Sequence, residues 1–590
     1  MKKFLLSAAA IMMAASMMAI NPAKFELKML TGGEQTSVLP NEMAGCAMVF
    51  GDYDNDGDLD LFYVGGQNAD RMYVGLLKNT GNGNFEAVTL PDDFVAIQQA
   101  SAAWMDYNND GNLDLIVVGT PDGTTTYTYV MKNLGAAEGY AFEEDMDNYL
   151  PGVYGEGNDN VQHIIAPVDF DNDGWTDLVL NGNAGGKWDG EHGRMTALFK
   201  NVEGVFQFVD DKATIGAEVF AQVNGGGVTV ADLNNDGYMD LLLSGYDDNA
   251  DKLPDPETGE IKKGNGASYV YMNTGKGGYT QLDMKFAAAE NQGLLIPIDA
   301  NNDGWLDIVE IGRDLNNGWA NSANLYLNDK TGKFTQAENS GLAGGQTVVG
   351  MGDMNNDGFM DYAHTGWPTV SIAYGNGDGT FTEVGFTAAT GLDQLSARGG
   401  ATSVVDLNGD NTLDIQVSGW SDANGRWSDA IAFNTVKDTL GAALAANAAP
   451  SAPKNVAVKK GADGYTITWE AATDDNTPAV ALRYNIMAKA SDGSVWMLVP
   501  ADEKTGKQKV AGLVPAYLTT LSYTFKGTGD YTFAVQAIDG ANVGSAFAAV
   551  ATGVEDINAK AVNVKKVVEN GNVYIIKNGE KHTVLGQMVK

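Results

Sequence analysis

Short apolar runs alternate with polar, glycine-rich breaks along most of the chain, and both recur. One kind of run reads LDLFYVGG, LDLIVVGT, TDLVLNGN or MDLLLSGY and always closes on or near glycine. Runs this short, bounded by turn residues, predict strands rather than helices. A second kind is aromatic and ends in Asn and a glycine turn: LLKNTGNGNF (76–85), YVYMNTGKGGY (269–279), LYLNDKTGKF (325–334) and IAYGNGDGTF (372–381). The turn residues are those that short hairpins require. One unit therefore reads strand, acidic loop, strand, surface loop, strand, glycine hairpin, strand. Four antiparallel strands per unit predict the blade of a β-propeller.

The acidic loop is a nonapeptide that occurs seven times. Its copies are DYDNDGDLD from Asp52, DYNNDGNLD from Asp106, DFDNDGWTD from Asp169, DLNNDGYMD from Asp232, DANNDGWLD from Asp299, DMNNDGFMD from Asp353 and DLNGDNTLD from Asp406. Intervals of 54, 63, 63, 67, 54 and 53 residues signal a repeat architecture, and seven loops predict seven blades. The last unit stops at AFNTV (432–436) without its outer strand, whereas KFELKML (24–30) resembles the outer strands FEAVTL (85–90) and FTEVGF (381–386). The N-terminal strand is thus expected to complete the seventh blade and leave no sheet edge open.

The loop residues point to a hard cation. Position 1 is Asp52, Asp106, Asp169, Asp232, Asp299, Asp353 or Asp406. Position 5 is Asp56, Asp110, Asp173, Asp236, Asp303, Asp357 or Asp410, and position 9 is Asp60, Asp114, Asp177, Asp240, Asp307, Asp361 or Asp414. Position 3 is aspartate in two loops (Asp54, Asp171) and asparagine in five (Asn108, Asn234, Asn301, Asn355, Asn408). Position 7 would contribute its backbone carbonyl, from Asp58, Asn112, Trp175, Tyr238, Trp305, Phe359 or Thr412. Such an all-oxygen set suits calcium; magnesium prefers to keep its waters, and zinc would want thiolates and histidines. Without a cation the carboxylates would repel one another. Glycine at position 6 permits the sharp turn, and loop 7 places Asn411 there, the residue next most tolerant of left-handed geometry. An EF-hand is excluded: its twelfth position would need glutamate but holds Tyr63 and Val117 in the first two loops, and strands replace the flanking helices. Ligand charge alone predicts that loops 1 and 3, with Asp54 and Asp171, bind tightest.

These motifs resemble the FG-GAP or VCBS repeats of integrin α-subunit heads and many secreted bacterial proteins, over residues 24–437. The resemblance implies a seven-bladed propeller with up to seven Ca²⁺ ions on the face opposite the usual ligand-binding face. Six loops match the family motif residue for residue; the seventh departs at Asn411.

The termini predict an exported protein. MKKFLLSAAAIMMAASMMA has two lysines, an apolar stretch and small residues, as a bacterial signal peptide does, so 1–23 is assigned to it, with cleavage after Ala19 or Ala23. No later stretch is long and apolar enough for a spanning helix. Cys46 is the single cysteine, so no internal disulfide forms; six residues before loop 1, it is read as filler in a crowded inner strand. Residues 438–450 are alanine-rich and end in proline, as a linker would. Residues 451–552 alternate in strand fashion, and Trp469, Tyr484 and Tyr531 resemble the aromatic placement of a fibronectin type III sandwich. The tail, 553–590, has its own strand pattern; it resembles the sorting tails of Bacteroidetes proteins exported by the type IX system, with a small hairpin as the alternative. The fold class expected is all-β: propeller, sandwich, short β tail.

A net charge of −39 argues against nucleic acid as partner. Seven calcium ions, at two charges each, would bring −39 only to −25. The loops predicted to project away from the calcium carry Trp188, Tyr246, Trp319, Trp367, Trp420 and Trp427. Aromatic planes beside Asp, Asn and His suit sugars, so carbohydrate is the first ligand expected; packing between blades is the competing role, chiefly for Trp367 and Trp420. An extracellular protein partner is the second reading. A polysaccharide lyase or hydrolase is the third: His163, His192 and Glu191 could be drafted, but no nucleophile, nucleotide or zinc motif is present. The expected role is a secreted or surface-bound, non-catalytic binding or adhesion protein.

Overall fold

The computed structural model describes residues 22–29, 39, 46–68, 71–91, 94–155, 163–185, 193–209, 220–251, 263–286, 290–314, 320–345, 348–365, 370–385, 401–421, 426–438, 441–462, 464–511, 518–550, 564–569, 572–577 and 580–583. Among the described residues, every regular element is a strand apart from one 3₁₀ turn at Ala136–Glu138.

Each acidic loop joins the first and second strands of a four-stranded antiparallel sheet. The first sheet runs, in spatial order, Ala47–Gly51, Asp60–Asn68, Arg71–Asn79 and Phe85–Val88. In all seven such sheets the second strand begins at the position-9 aspartate. The residues that follow are apolar on both faces, because each sheet is sandwiched between two others. Innermost strands pack in sequence from the first sheet to the fifth and from the sixth to the seventh, and Thr402–Val405 packs back on Ala47–Gly51. The fifth and sixth sheets share a core that includes Ile308, Tyr326, Met351 and Tyr362. This arrangement is a β-propeller.

The sheet holding loop 7 has its fourth strand supplied by the start of the chain. Ala23–Met29 pairs antiparallel with Arg426–Asp438, matching Phe25 with Asn434 and Leu27 with Ala432. Phe25 is buried in the core of that sheet, and Thr435 Oγ1 donates to Lys24 O at 2.7 Å.

A β-sandwich follows. One sheet is Lys454–Lys460, Tyr465–Glu470 and Ser522–Phe525; the other orders Val495–Met497, Arg483–Ala490, Tyr531–Ile538 and Ala548–Ala549. Trp469 and Tyr484 meet at a tilt in its core, with ring centroids 5.4 Å apart, while Tyr531 packs edge-on against Tyr465 and Phe525. The tail forms a separate unit, a three-stranded sheet of Val564–Glu569, Asn572–Lys577 and Glu580–Thr583. Among the described residues no helix is long and apolar enough to cross a membrane.

Candidate metal centres

The seven loops share one conformation, and their own carboxylates fix it. At position 1 both oxygens accept backbone N–H groups across the turn: Asp169 takes Asp173 N at 3.0 Å and Gly174 N at 2.9 Å. The same pair of bonds is present in the other six. The position-5 carboxylate accepts the N–H of position 7, as Asp173 does from Trp175 at 3.0 Å. The backbone turns left-handed at positions 4 and 6 alike: Asn172 has φ 61° and Gly174 φ 89°. Loop 7 keeps this geometry with the two residue types exchanged, Gly409 at φ 75° and Asn411 at φ 65°. Asn411 is therefore a swap rather than a loss, since both residues tolerate this region.

Position 9 is a buried pin. Asp177 accepts Phe170 N at 3.0 Å with one oxygen and Asn201 N at 2.7 Å with the other. Every loop repeats this pair, with Gly375 in place of the asparagine at loop 6. The asparagine that ends the third strand then reaches sideways. Asn201 Nδ2 donates to Tyr107 O of the preceding loop at 2.7 Å. Asn133, Asn273, Asn328 and Asn434 do likewise, and Asn79 donates to Leu407 O at 3.2 Å, stapling loop 1 to loop 7 across the seam. Between loops 5 and 6, Gly379 N takes this role by donating to Ala300 O at 3.1 Å. The position-4 asparagines chain the loops the other way round: Asn109, Asn172, Asn235 and Asn302 each donate to the position-6 carbonyl of the next loop. Sequence reasoning marked the strand-ending asparagines only as turn residues and passed over position 4; the near-invariance of both across the repeats was the available signal.

Electrostatically these are strained anionic clusters. Burial, with the neighbouring loop carboxylates adding to it, pushes Asp52 up to about 6 and Asp60 up to about 8. The same causes raise Asp232 to about 7 and Asp414 to about 8. In loops 1 and 3, one oxygen each from Asp52, Asp54 and Asp60, and from Asp169, Asp171 and Asp177, lie within 4.8 Å of one another. The second oxygens of the position-3 residues, Asp54 Oδ1 and Asp171 Oδ1, are buried without a hydrogen-bond partner. A buried carboxylate oxygen without a donor is costly. Converging carboxylates with an orphaned oxygen fit a hard divalent cation. In the five asparagine loops positions 1, 5 and 9 supply the carboxylates; Asn234 and Asn355 turn their Nδ2 to the position-5 carboxylates Asp236 and Asp357.

The loop face is covered by the sandwich and the segment leading to it. Asp52 N donates to Lys509 O at 2.9 Å, and Gly51 forms a bridge with Val510. Lys509 Nζ donates to Gly111 O of loop 2 at 2.8 Å, and Lys526 N to Asn172 O of loop 3 at 2.6 Å. Thr519 Oγ1 lies 2.9 Å from both Asn235 Oδ1 of loop 4 and Gly304 O of loop 5. Asp353 N of loop 6 donates to Gly540 O at 2.9 Å, and Asn447 Nδ2 to Asn411 O of loop 7 at 3.4 Å. Three position-6 glycines are needed for closeness as well as conformation; a Cβ on Gly304 would meet Val480 O at 2.7 Å. A Cβ on Gly174 would meet the Phe525 ring at 2.5 Å, and one on Gly358 would meet Asn476 O at 2.2 Å. Packing is looser over loops 2 and 3, where a cavity of about 230 Å³ is lined by Trp104, Asp106, Asp169, Met239 and Trp496.

The aromatic candidates fare unevenly. Trp188, Trp319 and Trp367 lie outside the described residues, as do His192 and Glu191. Trp420 and Trp427 sit not in a loop but in paired strands, in register with each other. Tyr246 too lies within a strand, Asp240–Asp251, and the Arg194 guanidinium covers its ring at 4.9 Å. Its ring is thus already occupied, because the loop expected after SGY is a continuation of the strand. His163 is held near 4 by burial and is neutral. A histidine the sequence did not flag, His364, is buried with Nε2 3.1 Å from Glu383 Oε2, between the fifth and sixth sheets.

Fold and site define a class: an all-β propeller carrying clusters of buried acidic residues that could bind metal. The FG-GAP-like repeat model matches residues 43–117, 155–243, 299–364 and 353–417, a span that contains all seven loops. Over those residues the sheets of the propeller match FG-GAP-like repeats. No curated protein matches the sequence. Among solved structures, similarity is found to a lectin of Agrocybe aegerita described as recognising non-reducing terminal N-acetylglucosamine (18% identity, 60% of this chain and 84% of that one, TM-score 0.38). A Penicillium chrysogenum α-L-arabinanase complexed with arabinobiose shares 11% identity over 58% of this chain and 96% of its own, TM-score 0.31. A fungal alcohol oxidase of the AA5 family, in complex with copper, shares 12% identity over 90% and 99%, TM-score 0.42. At these scores the likeness says nothing about ligand or reaction.

Proposed function

We propose that this chain is a calcium-stabilised, seven-bladed propeller with a fibronectin type III-like domain docked on its loop face, exported to the medium or cell surface, where it binds a ligand without catalysis. The observation that carries the calcium reading is the pair of orphaned oxygens, Asp54 Oδ1 and Asp171 Oδ1, each inside a cluster of converging aspartates. All seven loops would take calcium through positions 1, 3, 5, 7 and 9, in keeping with oxygen-rich coordination. The domain limits that go with this reading are 24–437 for the propeller and 451–552 for the sandwich.

The sandwich occupies the loop face, so the ligand site is assigned to the opposite end of the propeller. Carbohydrate is the ligand class favoured, from the tryptophans of the long insertions, Trp188 and Trp319, together with the strand-borne Trp427. A glycan array probed with the full mature chain, in calcium and again in chelator, tests this. Calcium-dependent hits that disappear in Trp188→Ala or Trp319→Ala support a lectin. A blank from folded, calcium-loaded protein removes carbohydrate and leaves an extracellular protein as the partner.

A further inference from the structure

Loops 1 and 3 differ from the other five in one ligand, and the structure adds a second difference. Lys78 and Lys200 precede the strand-ending asparagines Asn79 and Asn201 on the third strands of their sheets. Lys78 Nζ bonds Asp54 Oδ2 and lies 2.8 Å from Asp56 Oδ2; Lys200 Nζ bonds Asp171 Oδ2 and lies 2.9 Å from Asp173 Oδ2. Each ammonium thus bridges positions 3 and 5 of its loop while the other oxygen of position 3 stays unbonded. The second sheet carries the same lysine, Lys132, but Asn108 at position 3, and among the described residues no ion pair joins Lys132 to that loop. The equivalent strand residues opposite the other asparagine loops are Met272, Leu327, Tyr374 and Phe433. Lys330 approaches loop 5 from the hairpin, but it reaches only Asp303, at 3.1 Å, and is half exposed.

Charge accounts for the pairing. Aspartates at positions 1, 3, 5 and 9 give loops 1 and 3 four ligating carboxylates, against three in each asparagine loop. One bound ammonium restores the count to a net three. We propose that Lys78 and Lys200 are built-in counter-ions that share the position-3 carboxylate with the calcium ion, so that loops 1 and 3 bind calcium with the affinity of the asparagine loops rather than above it. This rests on the calcium reading and removes the order that ligand charge alone predicts. The carboxylate remains available to both cations because they take different oxygens.

The test is a calcium titration of the full chain by calorimetry, with metal analysis, on the unmodified protein, Lys78→Met, Lys200→Met and the pair Asp54→Asn/Lys78→Met. Each single lysine variant should make one site stand out as tighter, by about tenfold, since ligand charge tunes calcium affinity over decades. The double variant should return that site to the range of the others, the signature of coupling between the two residues. Failure to bind any calcium overturns the calcium reading itself. Normal calcium content with unchanged or weakened affinity in both lysine variants overturns the counter-ion role alone. If a methionine variant folds poorly, Lys78→Gln, which stays polar and removes the charge, must give the same tightening or the proposal falls.

Discussion

The ring of loops and the sandwich that covers it meet at a single face yet are built on opposite rules. Every loop solves the same problem with aspartates in the same three places, positions 1, 5 and 9. The sandwich meets the loops in unlike ways: a bridge at Gly51, an ammonium at Gly111, a hydroxyl between Asn235 and Gly304, a carbonyl at Asp353. A single domain cannot present a sevenfold surface, so it meets a repeated surface with unrepeated contacts. What this teaches is where stability is shared and where it is separable. The loops are tied to one another by the asparagine staples, whereas the sandwich has its own aromatic core and is tied to the loops mainly through backbone groups.

On the calcium reading, the largest expected effect follows from chelation. Chelation should lower the propeller's Tm by roughly 10 °C or more, since each site held at a hundred times its Kd contributes about 2.7 kcal/mol. The sandwich core around Trp469 should melt separately, so calorimetry should show one peak moving and one staying. A single unmoved transition would mean the loops do not depend on metal. Next comes the seam. Asn201→Ala or Asn79→Ala leaves buried carbonyls without donors, at about 1–3 kcal/mol each, read by denaturant titration. Asn79 spans the junction of first and last sheets, so its loss should also speed unfolding more than the loss of Asn201. Gly358→Ala places a Cβ on Asn476 O and forces a left-handed alanine, costing about 1–2 kcal/mol of backbone strain alone. Faster proteolysis between the propeller and the sandwich, with the propeller intact, is the outcome expected.

A pH dependence sharpens the contrast further. Asp52 and Asp60, raised to about 6 and about 8, hold more protons folded than unfolded between about pH 4 and pH 8. Stability in chelator should therefore fall as pH rises across that window, and excess calcium should flatten the fall. Tm measured across pH with and without calcium checks it. The smallest effect belongs to Lys507→Met, which removes an exposed ammonium from Gly57 O of loop 1 and should cost less than about 1 kcal/mol, more at low salt.

The loops were legible in the sequence because their pattern is local: nine consecutive residues hold the carboxylates, the turn and the start of the strand that follows. The N-terminal strand was legible for a different reason. The last unit lacked a strand, and KFELKML matched what was missing, as its pairing with Arg426–Asp438 shows. The seat of the sandwich was not legible, since its partners are carbonyls and amides that any residue carries. The strands through Tyr246 and Trp420 were read as ending at glycine, but Gly245 and Gly419 both continue in extended pairing, so that glycine marks a kink rather than a stop. Lys78 and Lys200 were visible all along, but their meaning requires knowing that the third strand runs beside the loop.

The closure of the ring also sets an order of events. Phe25 pairs with Asn434, so nearly the whole propeller must exist before its first strand has anywhere to go. Drawing together ends that far apart costs roughly 5 kcal/mol of chain entropy, which the last sheet alone must recover. Until residue 438 is made and delivered, the growing chain has six candidate sheets and no ring, and its earliest segment waits unpaired for its latest.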